Sequence, residues 1–116
     1  MADSSLPAGD AVALTRALVA VDSRNPTLVP GAAGEREAAV LLATTLQHWG
    51  FEVELLEAAP GRPNVVARTG AGDRTLLLAG HLDTVGVEHM RHAPFDPQVR
   101  EGRIYGRGSS DMKSGV

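Results

Sequence analysis

Cysteine is absent from the 116 residues, so the chain can form no disulfide and offer no thiolate to a metal. Any metal centre must therefore be built from histidine and carboxylates. There is no surplus of basic charge either. The formal net charge is −3, which gives no reason to expect nucleic acid or an anionic membrane as partner. No apolar run approaches the roughly 20 residues of a membrane-spanning helix. The first ten residues lack a basic start followed by an apolar stretch, so a secretory signal is not expected. Internal repeats and low-complexity tracts are missing as well. What is present is a composition 43% hydrophobic and 22% charged, that of an ordinary globular domain. A soluble, cytoplasmic protein is expected.

Periodicity supplies the elements. Over residues 10–22 the apolar positions Ala11, Leu14, Leu18 and Val21 follow the spacing of an amphipathic helix, with Asp10 placed to cap it. Pro26 and Pro30 then force a loop. A second helix is predicted over 34–49, where Ala38, Leu41, Leu42, Thr45 and Trp49 share one stripe and Gly50 stops it. Phe51, Val53 and Leu55 alternate with Glu52 and Glu54 as in a half-buried strand. Residues 64–68 read as a second strand, and the turn at 70–73 leads to a third, buried one over 75–79. Residues 85–97 read as a long loop, followed by a hairpin around Glu101-Gly102. The order predicts an α/β layered domain with a mixed sheet.

Two short segments carry the chemistry. The first, Gly80-His81-Leu82-Asp83-Thr84-Val85, follows the apolar run Leu76-Leu77-Leu78-Ala79. Side chains alternate along a strand, so His81 and Asp83 point the same way, and a neutral imidazole can bind a metal while the carboxylate orients it. Ligand sites in open α/β sheets lie beyond the carboxyl ends of parallel strands, where His81 falls. The second, Gly106-Arg107-Gly108-Ser109-Ser110-Asp111-Met112-Lys113-Ser114-Gly115, presents Asp111 after a Gly/Ser-rich loop at the start of a helix. Plainer roles stay open at this point. His81 can be a satisfied core histidine, Asp83 the cap of a turn, Asp111 the N-cap of its helix and Lys113 a solvated first-turn lysine. His89 and His92 read as solvated loop residues and His48 as a surface helix residue. Ser109 and Ser110 lie in no Gly-x-Ser-x-Gly elbow, and Gly106-x-Gly108 is not set in a nucleotide-binding strand–loop–helix unit.

In combination these segments resemble the zinc-dependent amidohydrolases and peptidases that include acetylornithine deacetylase, succinyl-diaminopimelate desuccinylase, aminoacylase and the glutamate carboxypeptidases. The strand ending in Gly-His-x-Asp-Thr matches over 77–85, and the Gly-Arg-Gly-x-x-Asp-x-Lys block over 106–115. Pro94-Phe95-Asp96-Pro97, Gly102-Arg103-Ile104-Tyr105 and the upstream Ser23-Arg24-Asn25-Pro26 also resemble the family's connecting segments, so the likeness runs over 11–116.

The resemblance implies a layered α/β/α zinc-exopeptidase-like domain, incomplete in this chain. It implies that His81 ligates one zinc, that Asp111 bridges two, with cobalt as a substitute, and that Asp83 is the catalytic carboxylate that fixes the His81 tautomer. It also implies a cis peptide between Asp111 and Met112 in the metal-loaded protein, a trans or disordered bond being expected in the isolated chain. Residues 1–116 are expected to be the amino-terminal part of the catalytic domain, with the general base, further ligands and a lid or dimerisation domain lying beyond Val116. The implied activity is hydrolysis of an amide bond in an N-acyl amino acid or small peptide, by a protein that forms a homodimer. A dipeptidase or carboxypeptidase of the same family and a non-catalytic module are the alternatives. A catalytic zinc takes three protein ligands, so the 116-residue chain alone is expected to be inactive.

Overall fold

The structure, a computed structural model, describes residues 5–116. Helix α1 covers Ala11–Val19, and the Asp10 carboxylate accepts from the Ala13 amide at 2.9 Å, as the spacing predicts. Helix α2 covers Arg36–His48 and ends at Gly50, whose φ of +91° suits a residue without a Cβ. It starts two residues later than the sequence suggests and without a side-chain cap. The Glu35 carboxylate is taken instead by the Arg62 Nε, at 2.6 and 2.7 Å.

Strands β1 (Glu52–Ala59) and β2 (Arg62–Arg68) form an antiparallel hairpin, with a register shift between Glu57 and Ala59. A second hairpin joins β3 (Gln98–Arg100) to β4 (Arg103–Tyr105) through Glu101 and Gly102, both at positive φ. The α/β class stands. Among the described residues the sheets are two antiparallel pairs, and the parallel contribution is a single bridge between Arg24 and Thr84.

The core forms where the apolar stripes of the two helices meet. Leu14 and Leu18 of α1 pack with Ala38 and Leu42 of α2, and Val65 of β2, Trp49 and Leu82 close around them. The Trp49 indole N–H donates to the Leu6 carbonyl at 2.9 Å, so the one polar atom of that ring is satisfied.

The buried strand expected over 75–79 is not formed. Residues 75–79 join no sheet, and Leu76, Leu77 and Leu78 are 83%, 84% and 83% exposed. A segment apolar on both faces needs neighbouring strands and cover on each side. β1 and β2 pair with each other, and the helices cover a different surface, so none of the described elements supplies that cover.

Candidate functional site

Residues 82–84 are held in place by residues 23–25. The Ser23 hydroxyl donates to the Leu82 carbonyl at 2.7 Å, the Thr84 amide to the Ser23 carbonyl at 3.0 Å, and the Asn25 amide to the Thr84 carbonyl at 2.8 Å. Ser23 is fully buried and Thr84 nearly so. Leu82, between them, faces the core. Alternation along extended chain then turns His81 and Asp83 the other way, out of the core.

His81 and Asp83 do meet, at two points. The imidazole Nδ1 lies 3.0 Å from the main-chain carbonyl of Asp83 and 3.3 Å from its carboxylate Oδ1. Both are acceptors, so Nδ1 carries a proton and donates it. The main-chain carbonyl is the nearer of the two, a partner the residue spacing does not reveal. On its other edge, Nε2 is 3.0 Å from Oδ1 of Asp111. The chain thus returns Asp111 to His81 across a separation of 30 positions. With acceptors facing both nitrogens, the doubly protonated ring is favoured. Partial burial opposes the charge, but the Asp83 carbonyl, the Asp111 carboxylate and the Asp83 charge together hold the His81 pKa above the ordinary histidine value. The pair opens to solvent, with the Asp111 side chain 84% exposed.

Asp111 is held from behind by its neighbours. The Asp111–Met112 peptide is cis, where a trans or disordered bond is the expectation for the isolated chain. Lys113 follows in a short 3-10 turn, Lys113–Gly115. It is not a solvated first-turn lysine. Its side chain is 1% exposed, and its ammonium donates to the carbonyls of Leu18 at 2.7 Å and Val21 at 2.8 Å. Those carbonyls sit at the C-terminal end of α1, where unpaired acceptors and the helix dipole both favour a cation. Burial nevertheless pushes the Lys113 pKa down to about 8, an effect the Asp22 carboxylate opposes. The Arg24 guanidinium bonded to Asp22 holds that carboxyl below its ordinary value, against its partial burial.

Close packing accounts for Gly106 and Gly108 of the second block. A Cβ on Gly106 would stand 2.3 Å from Val19 Cγ1 of α1 and 3.2 Å from the Pro94 carbonyl oxygen. At Gly108, with φ +86°, it would meet Thr84 Cγ2 at 2.8 Å and the Lys113 stem at 3.1 Å. The block thus lies against both α1 and the segment carrying His81.

The other histidines stay apart. The His92 ring packs edge-on against Tyr105, with centroids 5.5 Å apart, and His48 is exposed at the end of α2. No group of three or more His, Asp or Glu side chains able to hold a metal gathers among the described residues. Two donor atoms converge, His81 Nε2 and Asp111 Oδ1.

The sequence profile of peptidase family M20/M25/M40 matches residues 77–116, the stretch that contains His81, Asp83 and Asp111. The likeness extends beyond that stretch, to relatives aligned over most of the chain. The chain is 37% identical over 110 residues to a succinyl-diaminopimelate desuccinylase of Wolbachia pipientis, covering 92% of this chain and 26% of that protein. A succinyl-diaminopimelate desuccinylase of Methylobacterium nodulans is 41% identical over 112 residues, covering 90% and 26%. An acetylornithine deacetylase of Vibrio campbellii is 45% identical over 75 residues, covering 62% and 20%. The chain therefore spans about a quarter or less of the length of these relatives.

Proposed function

We propose that residues 1–116 are the amino-terminal part of the catalytic domain of a metal-dependent amidohydrolase, one that removes the acyl group from an N-acyl amino acid. The observation that carries this reading is the convergence of His81 Nε2 and Asp111 Oδ1 to 3.0 Å, with the far side of the imidazole engaged by Asp83. An imidazole nitrogen and a carboxylate oxygen brought face to face are donors of the type that zinc takes. The relatives named as desuccinylases and deacetylases support the acyl amino acid as substrate class.

In this reading Asp83 keeps the proton on Nδ1, so that Nε2 presents its lone pair to the ion. Asp111 supplies the neutralising carboxylate, and its exposure leaves its second oxygen available to a second cation. When bound, zinc there supplies a Lewis acid that polarises an amide carbonyl and acidifies a water. Two protein ligands fall short of the three of a catalytic zinc, so the 116-residue chain by itself is without turnover.

The test is zinc content and hydrolysis of N-succinyl and N-acetyl amino acids by the full-length protein, beside its His81→Ala variant and the 116-residue chain. Zinc-dependent turnover by the full-length protein alone, lost in His81→Ala, is expected. Turnover untouched by His81→Ala overturns the site.

A further inference from the structure

The Asn25 side chain is fixed at both ends. Its Oδ1 accepts from the Thr27 amide at 2.8 Å, closing a turn over Pro26, and its Nδ2 donates to Oδ2 of Asp83 at 2.9 Å. The first bond decides the amide orientation: with Oδ1 committed to an N–H, the NH₂ must face the carboxylate. Its main chain is anchored too, through the Asn25 amide on the Thr84 carbonyl. A carboxylate on a single Cβ can rotate, and which oxygen meets His81 depends on what holds the other. Here Oδ2 is occupied by Asn25 and Oδ1 is left facing the imidazole Nδ1 at 3.3 Å.

We propose that Asn25 is a positioning residue of the candidate metal site, setting the rotation of the Asp83 carboxylate and through it the His81 ring. This rests on the proposed metal-binding role of His81. Asn25 hydrogen-bonds to neither His81 nor Asp111, and it acts through Asp83. The bland alternative is that Asn25 only closes its own turn. The two roles use opposite ends of one amide and can therefore be separated. Asn25→Ser keeps a hydroxyl able to accept from the Thr27 amide but is too short to reach Asp83. Asn25→Asp keeps the acceptor and replaces the donor with a second carboxylate facing Asp83.

The test is a double-mutant cycle between Asn25 and Asp83 in the full-length protein, read as zinc affinity by competition with a chelator. Asn25→Ser is expected to weaken zinc binding about tenfold, the lower end of the range for such supporting partners, and Asn25→Asp more. In an Asp83→Ala background Asn25→Ser should change nothing, because the link is already cut. Equal losses in both backgrounds overturn the proposal. A second readout needs no metal: the ¹⁵N resonances of the His81 imidazole in the zinc-free protein should move in Asn25→Ser and Asn25→Asp. Unmoved resonances count against Asn25. Zinc affinity indifferent to His81→Ala, with the resonances still responding to Asn25, overturns the metal reading and leaves the positioning link standing.

Discussion

At the scale of single residues, Asp83 and Asp111 differ in what their oxygens face, and their substitutions should differ accordingly. Asp83→Asn in the full-length protein keeps the main-chain carbonyl on His81 Nδ1 and loses the carboxylate behind it. Zinc affinity should fall by about 10–100-fold. Asp111→Asn removes a charged donor and should be far more damaging. Chelator competition on both variants checks the order, and equally mild losses would remove both residues from the site. Asp22 gives a pH dependence. Its folded-state pKa lies below the unfolded value near 3.9 because of Arg24, so its contribution to stability is present above that value and lost as pH falls through the folded pKa. Urea midpoints of the chain measured between pH 5 and pH 2.5 should decline, and Arg24→Ala should make that decline shallower.

At the scale of elements, the segment carrying Asp111 is tied to α1 by one long side chain. Lys113 fills buried space beside Gly108 and completes the end of α1 through the Leu18 and Val21 carbonyls. Lys113→Ala should lower stability by about 2–4 kcal/mol, since it opens a cavity and removes the ammonium that two carbonyls accept from. Lys113→Met, which keeps the stem, should recover part of the loss in urea denaturation. A neutral Lys113→Ala would mean that the tie holds nothing. Gly108→Ala tests the same contact from the other side. A positive φ and a Cβ 2.8 Å from Thr84 should together cost about 2 kcal/mol or more. Asp10→Ala, by comparison, should cost only about 1 kcal/mol, the usual effect of losing an N-cap.

At the scale of the whole molecule, two helices and the β1–β2 hairpin share one core, while the three leucines before the site lie in solvent. The amides of Leu76, Leu77 and Leu78 bond to no backbone acceptor among the described residues. Their hydrogen exchange in the 116-residue chain should be nearly unprotected, whereas amides in α2 should be protected. The exposed apolar run should also bind a hydrophobic dye, and Leu77→Asp should reduce that binding. Strong protection at 76–78 would show that the segment has found strand partners.

What depends on local chemistry is legible in the order of residues. The N-cap at Asp10, the two amphipathic helices, the stop at Gly50 and the hairpin at Glu101-Gly102 all follow from residue types and spacing, because each is decided by interactions within a few positions along the chain. The pairing of the Gly-His-x-Asp segment with Asp111 was legible too, through two motifs that are specific in combination. Burial and partnership over long separations were not. The apolar pattern at 75–79 states that the segment prefers cover, but whether neighbouring strands provide it depends on how distant elements pack. The pattern at Lys113 looks like that of any first-turn lysine. Its burial comes from α1, more than ninety residues earlier in the chain. The hold of Asn25 on Asp83 spans 58 residues, and it exists because 23–25 and 82–84 lie side by side, a juxtaposition that no local periodicity encodes.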